Sequence, residues 1–353
     1  MSPQSVKQSW SVYMAFQKFY RLNLNSWKKI SLARCSVTSL SVRKRESCKS
    51  YEKENYSPKL VIVNICFSQS SFSAYDVIVV GGGHAGTEAA CAAARMGAKT
   101  LLVTHKLETI GEMSCNPSFG GIGKGHLMKE IDALGGVCGR ICDISGVQYK
   151  MLNKKKGPAV WGPRAQIDRK LYKCNIQAEV FSTPNLTVKA AAVEDLITCG
   201  VPSIFDHDTL LGCRGVVLGT GEAITSKTVI LTNGTFLRGS INIGLTCRPA
   251  GRIGDKPAIG LAQTIEKAGF TIGRLKTGTP PRIDKRTIDF SKTEMKKGDD
   301  VPVPFSFMND SVWIKPEDQL PCHMTYTTDA VAEIVRSSLH LNRHVQEEIN
   351  GPR

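Results

Sequence analysis

The sequence predicts an α/β fold whose first lobe is Rossmann-like, and three observations predict it. Residues 75–80 (Tyr-Asp-Val-Ile-Val-Val) are a near-continuous apolar run rich in β-branched side chains, the pattern of a strand buried on both faces. Gly81, Gly83 and Gly86 follow at once in the spacing G-x-G-x-x-G. An alanine-rich stretch from Thr87 to Met96 then has the composition of a stable helix. Strand, glycine turn and helix in that order open a dinucleotide-binding unit.

Each element has a physical reason. Gly81 permits the tight turn from strand to helix, Gly83 lets the backbone approach a diphosphate, and Gly86 lets helix and strand pack closely. The helix end offers free N–H groups and the positive end of its dipole to an anion. Gly97 is placed to stop the helix, and residues 99–103 read as a second strand. A carboxylate for the ribose hydroxyls is expected about 20 residues after the glycines. That place reads Thr104-His105-Lys106, and Glu108 is the nearest acid, which weakens the case for an ordinary nicotinamide dehydrogenase.

Residues 111–126 (GEMSCNPSFGGIGKGH) read as a loop, punctuated by Pro117 and glycines 111, 120, 121, 123 and 125. Lys124 after Gly123 suggests a P-loop, but Ser118 stands where that motif needs Gly and Gly125 where it needs Ser or Thr. No helix is expected directly after Lys124. Cys115 heads the loop and is the candidate reactive thiol, a nucleophile or an acid/base group. No second cysteine lies close enough in sequence to form a disulfide-reductase pair with it.

Lys150, Lys154, Lys155, Lys156, Arg164 and Arg169 form a basic stretch with Trp161 available for stacking, a candidate contact for RNA phosphates. Arg274, Lys276 and Arg282 form a second. Residues 228–232 (TVILT) read as a strand ending near Gly234. The expected organisation is an arm over 1–74, a dinucleotide-binding lobe over 75–240, and an inserted α+β substrate lobe from 241 to the end. Residues 285–303 are an exposed, charged part of that last lobe.

The net charge of the 353 residues is +15, and it is uneven. Residues 1–74 carry twelve Lys or Arg against three acids, and the first acid is Glu46. An acid-free, serine-rich, basic and amphipathic start predicts a mitochondrial transit segment. No apolar run approaches the roughly 20 residues needed to span a bilayer, so no stable membrane insertion is expected. The 12 cysteines show no zinc-binding spacing and suggest a reducing compartment.

Taken together, the runs DVIVVGGGHAGTEAA, MSCNPSFGGIGKGHLMKEIDALGG, KGPAVWGPRAQIDR, LTNGTFLRG, GRLKTGTPPRID and FSFM resemble the GidA/MnmG family in order and spacing. The arm and the run VWIKPEDQLPCH resemble its animal mitochondrial members. The resemblance implies a glutathione-reductase-like FAD-binding lobe and a subunit that modifies C5 of the wobble uridine of tRNA, adding an aminomethyl or taurinomethyl group. It implies NADH and reduced folate as co-substrates, a GTPase partner of the MnmE type, a homodimer, and a mitochondrial location. Carried over by position, the flavin contacts are Gly81, Gly82, Gly83, His84, Ala85, Gly86, Val193 and Ala258, the last often Ser in the family. Cys115 matches one of two functional cysteines. It attacks C6 of the uracil ring, or it serves as acid/base while the flavin carries the one-carbon unit.

The chain departs from the family by ending at Gly351-Pro352-Arg353, where a GPRYC run would begin. The expectation is a truncated form that lacks the second cysteine, a flavin-closing segment and the helices that meet the GTPase, and that modifies no tRNA alone. The alternatives are a non-catalytic product that binds RNA or a partner, and another flavin oxidoreductase.

Overall fold

The computed structural model describes residues 74–202, 209–270, 272–278 and 280–342. The arm expected over 1–74 lies, apart from Ala74, outside the described residues, as do residues 343–353.

β1 (Tyr75–Val80), α1 (His84–Arg95) and β2 (Thr100–Thr104) form the opening unit, with β1 and β2 parallel. α1 starts inside the glycine motif, ahead of the expected Thr87, because an extended Gly83 (φ −77°, ψ −173°) already caps it. Its small residues Gly86, Ala90 and Ala94, with Thr87 and Cys91, are buried, so the helix lies close on the sheet. Strand side chains alternate between two cores. Val79 and Leu102 enter one; Ile78, Val80, Leu101 and Val103 enter the other.

β3 (Ser118–Gly120) is followed by α2 (Lys124–Ala133) and α3 (Cys138–Asp143), then by β4 (Gly146–Leu152) and β5 (Gly162–Ile167). The three strands form an antiparallel sheet in the order β3-β5-β4. The expectation that no helix follows Lys124 is corrected, since α2 starts there. Gly123 turns the chain into the helix at a positive φ of 78°. A Cβ on Gly125 would lie 2.7 Å from the Pro163 carbonyl oxygen, so that glycine lets α2 rest on β5.

α4 (Arg169–Ser182) is capped by Asp168, whose carboxylate accepts from Lys170 N and Leu171 N. It buries Tyr172, Ile176 and Val180 at helical spacing. β6 (Leu186–Ala190), β7 (Val193–Pro202), β8 (Thr209–Leu218) and β9 (Ala223–Leu231) complete the main sheet, ordered β6-β2-β1-β9-β8-β7. Its first four strands are parallel, and β8 and β7 return antiparallel. Residues of α1 and α4 pack on one face, sharing a core with Tyr149, Ala165 and Ile167 of the small sheet. The other core gathers Val193, Val216, Leu218 and Ile224.

Beyond β9 come the hairpin β10 (Ser240–Ile243) and β11 (Thr246–Pro249), then α5 (Gly260–Lys267), whose Leu261 is buried in the second core. β12 (Glu294–Lys296) pairs with β13 (Cys322–Met324), and α6 (Asp329–Ser338) follows. Residues 296–320 are stitched to β4. Gln148 Nε2 donates to Lys296 O (3.2 Å) and Leu320 O (2.9 Å), and Asp299 N donates to Tyr149 O (2.9 Å). The FSFM run is held by two buried carboxylates. Asp143 accepts from Phe305 N (2.7 Å), Ser306 N (2.9 Å) and Asn309 Nδ2 (2.9 Å), and Asp132 accepts from Phe307 N (2.7 Å). These bonds satisfy amides that burial would otherwise strand.

Candidate functional site

The α/β class and the Rossmann-like lobe expected from the sequence are what the structure shows, and the lobe's parallel strands end together at the glycine motif. Gly81 has φ +113°, and a Cβ there would lie 2.6 Å from Thr232 O at the end of β9. Gly82 N–Cα backs onto Thr104 and Ile110, and its carbonyl accepts from Gly111 N (2.9 Å). Gly86 sits against Gly81 and Thr232. Gly83 differs from its neighbours: it is exposed, and a Cβ built on it would meet nothing within 4 Å.

The first bond of α1 runs from Thr87 N to Gly83 O (2.9 Å). The amides of His84, Ala85 and Gly86 therefore point out of the helix end, beside the open space at Gly83. Two buried polar atoms at this edge have no hydrogen-bond partner among the described residues, His84 Nδ1 and Asn233 Oδ1. The His84 ring meets Phe119 and Tyr172 edge-on, with centroids 4.9 and 5.7 Å away. Burial pushes its pKa below the ordinary histidine value, so it is neutral at pH 7. An exposed glycine cradle, a helix end aimed at it and polar atoms awaiting partners fit a dinucleotide whose diphosphate lies at Gly83.

Val193 and Ala258 are both buried. Val193 opens β7 just after Ala191, whose N bonds Thr104 O (2.8 Å), so it lies near the end of β2. Ala258 N donates to Phe236 O (2.8 Å) and its carbonyl accepts from Arg238 N (2.9 Å). Both backbone groups of Ala258 are thus engaged within the protein.

Cys115 lies four residues beyond Gly111, which bonds the glycine motif directly, so it is within roughly 14 Å of Gly111. It lines an open cleft of about 710 Å³ with Asn116, Asp168, Arg169, Lys170 and Arg282. Arg169 donates to Cys115 O (2.6 Å), and Arg282 to Ser114 O (3.4 Å). The Nε of Arg169 is buried with no partner among the described residues. Two guanidinium groups thus clasp the backbone on both sides of the thiol.

The predicted basic stretch is divided. Lys154, Lys155 and Lys156 are exposed at the tip of the β4–β5 hairpin, where Trp161 Nε1 donates to Lys154 O (3.0 Å). Arg164 is exposed on β5, opposite Lys150 and Gly120. Arg169 lies beyond the other end of β5, at the first residue of α4, in the Cys115 cleft. Arg282, placed by sequence in a separate stretch, joins it there. Arg274 instead bonds Arg238 O (3.0 Å) and Ser240 Oγ (2.9 Å). The sequence signal that missed this grouping was proximity along the chain, which β5 defeats.

Residues 76–353 match the family model described as glucose inhibited division protein A. The chain is 63% identical over 279 residues to the mitochondrial 5-taurinomethyluridine tRNA synthase subunit MTO1 of Mus musculus, an alignment covering 79% of this chain and 41% of that protein. It is 51% identical over 268 residues to the tRNA uridine 5-carboxymethylaminomethyl modification enzyme MnmG of Granulibacter bethesdensis, covering 76% of this chain and 41% of that one. The structure of Aquifex aeolicus GidA superposes with a TM-score of 0.69 at 45% identity, covering 74% of this chain and 43% of that chain. The chain thus spans about two fifths of the length of the curated relatives it matches.

Proposed function

The chain belongs to the GidA family, and from that premise we propose that it forms the FAD-binding part of a subunit that modifies the wobble uridine of mitochondrial tRNA. The names of its relatives support the substrate and the location. The single observation that supports the reading is the bond from Gly111 N to Gly82 O, which ties the start of the segment carrying Cys115 to the glycine motif. In the proposed site the cofactor is held at the glycine motif and the base beside Cys115.

In this reading Gly81 to Gly86 receive the diphosphate of FAD, with Val193 and Ala258 against its adenosine end. The flavin, when bound, supplies the redox chemistry, recharged by NADH, while reduced folate brings the one-carbon unit. Cys115 supplies the thiol at the uracil ring. Arg169 and Arg282 hold the Cys115 loop and offer charge to the phosphates beside the base. Lys154, Lys155, Lys156 and Arg164 hold the tRNA backbone further out, with Trp161 as a stacking surface, and binding weakens as salt rises. A wobble base is unstacked to enter such a cleft. The GTPase partner and a homodimer complete the proposal. Among the described residues no helix is long and apolar enough to cross a membrane.

The test uses the protein in its own cell with Gly83→Val. An extended backbone accepts valine, and its Cβ would meet no protein atom within 4 Å, so the fold is expected to be unchanged. The side chain would fill the space at the helix end, so the purified protein is expected to lose its visible flavin bands. Digested mitochondrial tRNA should then lack the modified wobble uridine. Normal flavin content together with normal nucleosides would place the cofactor elsewhere and sink the reading.

A further inference from the structure

The end of β2 is where a fold of this kind places a carboxylate for the adenosine ribose, and this chain has Thr104, His105 and Lys106 there. The structure brings a carboxylate to that place from 149 residues away. Lys106 Nζ donates to Asp255 Oδ1 at 2.8 Å. Arg252 holds the other oxygen, Nε at 2.9 Å and the terminal nitrogen at 2.8 Å.

The segment carrying Asp255 is pinned to the same sheet edge. Gly251 N donates to Asp255 O (3.1 Å), Asp255 N to Arg252 O (2.9 Å), and Ala258 N to Phe236 O just past β9. The Phe236 ring stands 5.3 Å from the ring of His105 and 5.9 Å from the Arg252 guanidinium. His105, Lys106, Phe236, Arg252 and Asp255 therefore form one cluster at the ends of β2 and β9. Ala258, beside it, is among the positions proposed above to meet the adenosine end.

The carboxylate is ionised and has capacity left. The hydrogen bond from Lys106, with Arg252 behind it, holds the Asp255 carboxyl below the usual range. An ionised carboxylate has about four acceptor directions. Arg252 occupies those of Oδ2, while Oδ1 has Lys106 alone, and the side chain keeps 10% of its exposure.

We propose that Asp255 is the ribose carboxylate of the dinucleotide site, supplied by the segment after β11 and aimed by Lys106, so that Oδ1 accepts from a hydroxyl of the adenosine ribose. This inference rests on the FAD reading above. It explains how a Lys stands where an acid is expected: Lys106 carries the acid in by ion pairing.

The experiment is a fluorescence titration of the full chain with FAD and with the FAD analogue whose adenosine ribose lacks both hydroxyls. The wild type should bind the analogue roughly tenfold more weakly or worse, as loss of a hydrogen bond to a charged acceptor requires. Asp255→Ala should bind both ligands equally, and Asp255→Asn should show a reduced difference. The Asn variant keeps the side-chain shape and carries the test if loss of the ion pairs unfolds the Ala variant. A wild type that binds neither ligand overturns the FAD reading and this assignment with it. A wild type that binds FAD but ignores the missing hydroxyls overturns the ribose assignment alone, as does a difference undiminished in the folded variants.

Discussion

Replacing Gly86 with alanine is expected to unfold the dinucleotide lobe. The added Cβ would collide with the carbonyl oxygen of Gly81 and lie 2.8 Å from Thr232 Oγ1. Neither neighbour is free to yield. Gly81 N is bonded to Val103 O (2.8 Å), and Thr232 N is bonded to Val80 O (2.8 Å), so both are fixed to strands of the main sheet. Thr232 Oγ1 also donates to Val80 O (2.8 Å). Relief of the clash would push α1 off β1 and open the core around Val79, Ala90 and Cys91. A cost of about 4 kcal/mol or more follows for backbone overpacking of this kind. Set against the usual 5–15 kcal/mol of a domain, that is a large share. Urea denaturation followed by circular dichroism should show a midpoint far below that of the wild type, or a protein found only in the insoluble fraction. Gly83→Ala, three positions earlier, should unfold at the wild-type midpoint. Equal midpoints for Gly86→Ala and wild type would mean that the helix does not rest on the strand as described.

Cys115→Ser, made in a protein of family length, should keep flavin and lose uridine modification by roughly 10³-fold. The oxygen keeps the shape of the side chain but not the reactivity of the thiol. The cradle is built from the backbone of residues 81–86, so flavin absorbance serves as the internal control. The split between flavin content and modification is the informative result, because Gly83→Val removes both. Modified wobble uridine at wild-type levels in the digested tRNA would make Cys115 a packing residue.

Local signals carried the sequence reading a long way. The strand at 75–80, the glycine turn and the alanine-rich helix are each written in a few adjacent residues, and the structure has all three in that order. The helix start was displaced because Gly83 is both part of the turn and the cap, and composition does not separate those roles. The start of α2 at Lys124 was hidden by Gly125, which reads as a helix breaker and is instead required by Pro163 across the gap. What the sequence could not show is long-range pairing. Arg282 and Arg169 meet at the Cys115 loop, but one follows a proline pair and the other begins a helix. The carboxylates of Asp132 and Asp143 hold the FSFM run from more than 160 residues away. Asp255 reaches Lys106 by the same kind of route. Each of these depends on where the sheets bring the chain together, a quantity that no window of neighbouring residues contains.

If the glycine cradle and the Cys115 cleft are two ends of one site, a cofactor bound at the first shields the thiol at the second. The most direct measurement is the rate of alkylation of each cysteine, read by mass spectrometry of the digested protein with and without saturating FAD. Cys174 and Cys247 are exposed and lie outside the proposed site, so they provide the reference within the same molecule. FAD is expected to slow alkylation of Cys115 while leaving Cys174 and Cys247 unchanged, and Gly83→Val to abolish the protection. Saturating FAD that leaves Cys115 as reactive as before would contradict the single site.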